Sequence, residues 1–477
     1  MLLSRLLENQ VEMQIPDQEI TGITDDNRKI QKDCIFVCIK GEKFDGHSVA
    51  QQALAQGAAV VIAEHDVGLG EYQILVPDSR EFYGQLCAAW FDHPERKMKF
   101  IGVTGTNGKT TITNVIKAIL TANHHKVGLI GTIQNEIGDE IFHTDNTTPM
   151  VFDLMALYDR MYQNGCDTVV MEVSSFGLVQ KRIGLTHFDT AVFTNLTQDH
   201  LDYHKTMENY YQAKKMLFSV CDRAIINTDD DYGKRLYSEI TCEKFSYGKS
   251  GDYAYQPVSV KANGTTFLLN GSEIRMHMTG YFNIANATAA YLVCRLAGLE
   301  STEILPALQA CPGVKGRCEV IPTGKDFSVI CDYAHTPDAV ENILENVKLY
   351  TEHNLICLFG CGGNRDRTKR PLMAQAAAKF ADKLIITSDN PRDEDPEEII
   401  QDILTGLSED FGFSGIPYEI VVDRREAIAY AVKTAQPGDV IVLAGKGHED
   451  YQIFANNYHT HFDEREVVAE ILKNSDE

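Results

Sequence analysis

No apolar run in this 477-residue chain reaches the roughly 20 residues that a membrane-spanning helix needs. The opening M-L-L-S-R-L-L-E-N-Q has neither a signal-peptide core nor a small-residue cleavage site, so the expected setting is the cytoplasm. Basic residues are in deficit: 44 Lys and Arg face 68 Asp and Glu, a net charge of −24. That balance argues against non-specific binding to nucleic acid or to anionic membranes, while leaving room for a local basic pocket around an anion. The twelve cysteines include no C-x-x-C pair. The nearest, Cys34 with Cys38 and Cys357 with Cys361, fall on or at the ends of expected strands, which favours reduced core thiols over zinc or disulfides. Short-period repeats and low-complexity tracts are also missing.

What is present is globular. Hydrophobic content of 44% with 23% charged residues suits a packed core, and the length suggests about three domains. The most informative stretch is K-F-I-G-V-T-G-T-N-G-K-T-T at 99–111. Residues 100–103 read as a buried strand, glycines 105 and 108 break it, and an apolar helical period starts after Lys109 with Ile112, Val115, Ile116 and Ile119. Strand, glycine turn and helix make a phosphate cradle. Backbone N–H groups and the helix N-terminus face the phosphate, Lys109 adds a point charge, and Thr110 offers a hydroxyl to a magnesium ion. The general P-loop places a glycine five positions before Gly108; here Val103 stands there, with glycines at 102 and 105.

Before the cradle, residues 1–98 read as a small α/β unit: strand 34–39, helix 47–56, strands 58–64 and 72–76, helix 79–92. From 99 the spacing is that of a mostly parallel sheet covered by helices. Strand 127–131, helix 150–164, strands 167–173 and 188–194 and helix 207–219 follow, then an irregular, turn-rich section at 245–282 and helix 284–297. A turn-forming linker at 321–326 leads to a second α/β series: strand 327–331, helix 337–349, strand 355–359, helix 371–380, strand 383–387, helices 396–408 and 424–434, and strand 439–444. The expected units are thus 1–98, 99–322 and 323–477.

Several of these strands end in polar clusters, at the edge where open α/β sheets bind ligands. Glu172 in M-E-V-S-S suits a magnesium ligand, although a lone glutamate at a strand end is more often a solvated edge residue. In F-T-N-L-T-Q-D-H-L-D-Y-H, His200 and Asp202 could hold or orient a metal, or belong to a polar loop. Lys214, between large apolar groups, is either functional or a lysine whose stem covers apolar surface. In the third unit, C-D-Y-A-H-T-P-D carries Asp332 and His335, and F-G-C-G-G-N-R-D-R-T-K-R is a cationic glycine loop. Together with S-D-N-P-R-D and A-G-K-G-H-E-D they make four polar strand ends, which suggests one shared crevice.

The set G-V-T-G-T-N-G-K-T-T, M-E-V-S-S, F-T-N-L-T-Q-D-H-L-D-Y-H, G-Y-F-N-I-A-N-A, G-R-C-E, D-Y-A-H-T-P-D, D-N-P-R and G-K-G-H-E resembles the Mur ligases over all three units, in order and at suitable spacing. The resemblance implies an α/β protein with a uridine-binding N-terminal domain, a central P-loop-type ATPase domain and a Rossmann-like C-terminal domain. The implied activity, in peptidoglycan precursor synthesis, is ATP-dependent amide ligation of a diamino acid to UDP-N-acetylmuramoyl-L-alanyl-D-glutamate by a cytoplasmic monomer.

It assigns ATP to Gly105, Thr106, Asn107, Gly108, Lys109, Thr110, Thr111, Asn283, Asn286, Arg317 and Asp332. Two Mg2+ ions are implied on Thr110, Glu172, His200 and a carbamylated Lys214. With Lys109, the last three form the catalytic set. The sugar nucleotide is implied on Asn27, Arg28 and His47, with Asn27 standing where serine is usual, and on Thr147, Thr148, Ser174, Gln180 and Arg182. The amine is implied on Arg365, Asp389, Asn390, Arg392, Gly445 and Glu449. Lysine-adding relatives lack the arginine of D-N-P-R, so meso-diaminopimelate is the expected amine, with L-lysine or another diamino acid the alternative. A related amide ligase of secondary metabolism is the other alternative.

Overall fold

The computed structural model describes residues 1–7, 17–41, 44–142, 144, 146–262, 264–408 and 415–475, with Asp202 and Ser475 described in backbone only. Three large sheets organise the described residues, beside a two-stranded ribbon of Tyr451–Phe454 and Tyr458–His461. The first holds four parallel strands in sequence order: β1 Ile23–Thr24, β2 Ile35–Val37, β3 Val60–Ala63 and β4 Gln73–Leu75. Its helix Ser79–Trp90, capped by Asp78, shares one apolar core with the central domain, including Tyr83, Leu86, Phe100, Val151 and Met155.

The central sheet has eleven strands. They are β5 Lys99–Thr104, β6 Val127–Ile130, β7 Asn135–Ile137, β8 Glu140–Phe142, β9 Thr168–Glu172, β10 Phe188–Phe193, β11 Cys221–Asn227, β12 Glu243–Gly248, β13 Tyr253–Lys261, β14 Gly264–Leu269 and β15 Ser272–Met276. Their order, β15-β14-β13-β12-β11-β10-β5-β9-β6-β7-β8, puts β5 between β10 and β9, all parallel. The carboxyl ends of these three buried strands therefore meet in one place, beneath the cradle.

The section 245–282, read from sequence as irregular, is instead largely strand: β12 to β15 extend the sheet, the last three antiparallel. The burial of β14 alternates residue by residue, as on a half-covered surface. Asn270-Gly271 forms its two-residue hairpin turn, with φ of 46° and 84°; that dipeptide is a strong hairpin signal the sequence reading passed over. Strand β11 and the helices Asp231–Glu239 and Ser301–Ala310 are further elements it did not contain.

The third sheet runs β16 Glu319–Ile321, β17 Ser328–Asp332, β21 Val440–Ala444, β18 Leu355–Phe359, β19 Lys383–Ile386 and β20 Tyr418–Ile420 in spatial order. All but β16 are parallel. The turn 321–326, expected to be a linker, is a hairpin connection joining β16 to β17, so this sheet already begins at Glu319. Its two apolar clusters draw on residues from 318 onward, with Phe282 of the helix Tyr281–Leu296 packed against one of them. All twelve cysteines are free thiols and eleven are buried. Among the described residues no helix is long and apolar enough to cross a membrane.

Candidate active site

The cradle is built by three neighbours. Strand β5 is buried from Phe100 onward and delivers the turn 105–108 to the N-terminus of the helix Lys109–Ala122. Gly108 sits at φ +89°, and a Cβ there would lie 2.6 Å from Asn286 Oδ1, so only glycine fits. The loop after β10 braces the turn from behind. Thr106 N donates to Asn195 O (2.9 Å), Asn107 N to Asn195 Oδ1 (2.9 Å), and Thr194 Oγ1 to Asn107 O (2.6 Å). Lys109 folds over the turn, its Nζ donating to Gly105 O (3.0 Å) and Thr106 O (2.8 Å). Desolvation inside the cleft lowers its pKa, opposed by Glu172 and Asp199. Thr110 and Thr111 are buried, and Arg317 Nη2 donates to Thr110 Oγ1 at 3.3 Å.

Beside the cradle stands Glu172, 1% exposed, whose carboxylate accepts from Thr132 N (2.9 Å) and Thr132 Oγ1 (3.0 Å). Lys214, 2% exposed, donates from Nζ to Gly105 O at 2.8 Å. Burial first, and Lys109 second, hold its ammonium well below the ordinary lysine range. Its Nζ lies 4.5 Å over the ring of Tyr210, which also contacts Thr106 Oγ1 (3.3 Å) and meets His200 edge-on at 6.1 Å between centroids. His200 itself is exposed, at φ +53°, 3.4 Å from Asp199. Tyr210 is thus a common wall for Lys214 and His200, although no sequence signal marked it. Among the described residues no group of three or more His, Cys, Asp and Glu gathers as a metal site, and the side chain of Asp202 lies outside the described residues.

Residues for the other groups cluster as well. Asn283 and Asn286 are buried and joined at 3.0 Å. Asp332, raised by burial against the pull of Arg317, accepts from Cys318 N (2.6 Å) and Ala334 N (2.8 Å). The guanidinium of Arg317 lies 4.7 Å over Tyr333, and its buried Nε has no protein partner. An unpartnered buried N–H in a cleft is what an anionic ligand oxygen would satisfy.

Thr147 Oγ1 touches Thr132 Oγ1 (3.0 Å); Thr148 Oγ1 donates to Glu172 O and accepts from Ser174 N, both at 3.0 Å. Ser174 caps the short helix Ser175–Val179, and Arg182 joins Gln180 Oε1 (2.7 Å) to Thr148 O (2.9 Å). Lys181, missed by sequence, ties this loop to Asp78 (2.6 Å) and Glu81 (3.0 Å) of the N-terminal domain. There, Asn27 and Arg28 occupy a turn after β1, with Arg28 paired to Asp26 at 2.8 Å. His47 accepts Glu64 N at Nε2 (3.1 Å), so its Nδ1 carries the proton shared with Asp45 (2.7 Å).

The third cluster forms where β17, β21, β18 and β19 end together. Its centre is Lys446, 0% exposed and unassigned by sequence, although it lies inside G-K-G-H-E. Its Nζ donates to Asn390 Oδ1 (3.0 Å) and Glu449 Oε2 (3.1 Å) and pairs with Asp389 at 3.3 Å. Lys446 and Arg424 hold Asp389 below the usual carboxylate range despite burial, while burial raises Glu449. Gly445, at φ +118°, brings its backbone against Asp389, where a Cβ would stand 2.9 Å from Oδ2. Across the pocket Arg392, at φ +52°, donates to Gly363 O (3.0 Å), and Arg365 is close enough to depress its pKa further. Two carboxylates around one ammonium leave room for a further cation, and two adjacent guanidiniums leave room for an anion. The pocket suits a zwitterion.

Known proteins share this architecture. Residues 19–91 match the model described as Mur ligase family, catalytic domain, residues 103–294 the Mur ligase middle domain, and residues 316–447 the Mur ligase glutamate ligase domain. A Bacillus cereus protein named UDP-N-acetylmuramoyl-L-alanyl-D-glutamate–2,6-diaminopimelate ligase is 42% identical over 469 residues, covering 95% of this chain and 94% of its own. A Clostridium botulinum protein of the same name is 43% identical over 469 residues, 96% of each chain. A solved structure of a ligase of that name aligns over 100% of both chains with a TM-score of 0.74 at 32% identity. The Thermotoga maritima MurF ligase in complex with ADP shares the fold, with a TM-score of 0.59 at 18% identity over 95% of this chain and 97% of its own. With a glycine turn at a helix N-terminus, a buried carboxylate and lysine beside it, and a cluster of paired charges in the domains these matches span, the chain belongs to the Mur ligase family.

Proposed function

We propose that this protein joins meso-diaminopimelate to the D-glutamyl residue of UDP-N-acetylmuramoyl-L-alanyl-D-glutamate at the expense of ATP, in peptidoglycan precursor synthesis. The observation that carries the choice of amine is the third-domain pocket, with Asp389 and Glu449 around Lys446 facing Arg392 and Arg365. Diaminopimelate differs from lysine by a second carboxylate, and a planar guanidinium is the donor that recognises one.

A carboxylate is a poor acyl donor because its leaving group would be oxide. Transfer of the γ-phosphoryl group from ATP to the glutamyl γ-carboxylate gives an acyl phosphate and ADP. The unprotonated amine then attacks the carbonyl carbon, and the tetrahedral adduct collapses to the amide, expelling inorganic phosphate and losing a proton. The protein supplies position and charge. Lys109 leaves Gly105 O and Thr106 O for the transferring phosphoryl group, Arg317 offers its free Nε to a phosphate, and Asn283 with Asn286 faces the adenine. Thr148, Ser174, Gln180 and Arg182 orient the muramoyl dipeptide, with Asn27, Arg28 and His47 on the uridine side.

Thr110, Glu172, His200 and Lys214 are the proposed holders of Mg2+, which when bound neutralises phosphoryl charge. An ammonium cannot ligate a cation, but a neutral Lys214 amine can add carbon dioxide, forming a carbamate and releasing a proton. The carbamate nitrogen keeps one hydrogen, so it remains a donor of the kind that Gly105 O now accepts. Both substrates are charged and water-soluble, and the proposed setting is the cytoplasm. The test is ADP release with the UDP-linked dipeptide, ATP, Mg2+ and each candidate amine. No ADP with any diamino acid would refute the ligase reading, and activity with L-lysine alone would refute the choice of amine.

A further inference from the structure

The cradle and the amine pocket lie in different domains, and one carboxylate joins them. Asp338 stands in the first turn of the helix Pro337–Lys348, whose N-cap is Thr336. A carboxylate there ordinarily faces the N–H groups of its own helix. Here its Oδ2 accepts from Asn107 Nδ2 at 3.2 Å and from Thr197 Oγ1 at 2.8 Å, both in the central domain. Those donors come from separate loops. Asn107 belongs to the cradle turn and Thr197 to the loop after β10, and the two loops are joined to each other where Thr197 N donates to Thr106 Oγ1 at 3.1 Å. At the same time Asp338 lies six residues beyond Asp332 and three beyond His335, whose carbonyl accepts Lys369 Nζ at 2.8 Å. Since the apolar clusters of the third domain draw on residues from 318 onward, with Phe282 packed against one of them, its hold on the cradle rests on polar contacts such as this one.

We propose that Asp338 is a positioning residue, a latch that seats the amine pocket over the cradle for the second half of the reaction. The inference rests on the function proposed above. Asp338 meets the cradle turn through the side chain of Asn107, one of the residues assigned to ATP, whose backbone N–H is held separately by Asn195 Oδ1, so the turn keeps its shape and the acyl phosphate still forms without the latch. Capture of that intermediate by the amine does not. When the latch is lost, water competes for the acyl phosphate, and ATP is hydrolysed without amide formation.

The test compares wild type, Asp338→Asn and Thr197→Val with ATP, Mg2+ and the UDP-linked dipeptide. Acyl phosphate is trapped with hydroxylamine in the absence of amine, and ADP and amide product are counted with meso-diaminopimelate present. In the variants, trapping should stay within about threefold of wild type while amide formation falls about tenfold or more, as loss of a charge-assisted contact implies. The ratio of ADP to amide should rise above one, and the double variant should be no worse than Asp338→Asn alone. An unchanged ratio of ADP to amide, or an equal fall in trapping and ligation, would overturn the latch. Wild type that makes no amide would instead overturn the proposed function.

Discussion

Replacing Arg392 with alanine is the sharpest test of how the amine is chosen. Arg392 is half-buried, its Nη1 packs within 2.9 Å of where a Cβ on Gly362 would be, and its backbone N–H is fixed to Ile453 O at 3.0 Å. Alanine at φ +52° meets the same left-handed backbone as arginine, so the substitution neither relieves nor adds much strain there. What it removes is a guanidinium. Hydrogen bonds to charged groups contribute about 1.5–3 kcal/mol each, and two would be lost; partial exposure and the remaining Arg365 scale the sum to about 2–3 kcal/mol. At about 1.4 kcal/mol per decade this is a rise of roughly 30- to 150-fold in KM for meso-diaminopimelate. The KM for ATP should move little, and whatever activity L-lysine supports should be unaffected, because lysine has no distal carboxylate to lose contact with. Steady-state kinetics with each amine at saturating ATP measures this directly. If lysine and diaminopimelate lost activity in equal proportion, Arg392 would be a structural residue and the charge argument for the amine would be wrong.

Three further outcomes are expected. Lys214→Met should abolish turnover yet raise the melting temperature in CO2-depleted buffer. The folded-state pKa lies below the unfolded one, so folding disfavours the protonated lysine and costs stability below the ordinary lysine value, a cost that shrinks as pH rises towards it. A Met variant less stable than wild type would contradict the depressed pKa. Acidification should weaken the amine site through Glu449 before Asp389, because Glu449 is raised and Asp389 lowered. The kcat/KM for diaminopimelate should fall as pH drops through a value above 4.5, and Glu449→Gln should be low and flat over that range; a wild-type profile without that limb would count against it. Finally, Arg424 and Glu464, both 0% exposed at 2.8 Å, brace the pocket floor through Arg424 Nη2 to Ala444 O at 2.9 Å. Arg424→Met should cost about 3–5 kcal/mol by thermal unfolding, and adding Glu464→Leu should recover much of it; no recovery would mean that packing, not the stranded charge, sets the loss.

The phosphate cradle was legible because one uninterrupted stretch makes it: an apolar run, two glycines, Lys109 and a helical period are adjacent in the chain, and adjacency is all that a sequence displays. The polar ends of β17, β18, β19 and β21 could be marked for the same reason, each following its own apolar strand. Sequence could not show that β21 inserts between β17 and β18, which is what gathers Asp332, Asp389, Lys446 and Arg392 around a single crevice. Composition and spacing could not tell Lys446 and Lys214 from surface lysines, because burial is set by residues distant in the chain, and it is burial that makes one the enclosed partner of two carboxylates and lowers the pKa of the other. Asp338 was one more acid at a helix start until the fold carried it to Asn107, 231 residues away. Local order along the chain determined which groups this protein offers at the glycine turn; long-range packing alone decided which charges face one another, because electrostatic strength depends on distance and exclusion of water, and both are properties of the folded chain.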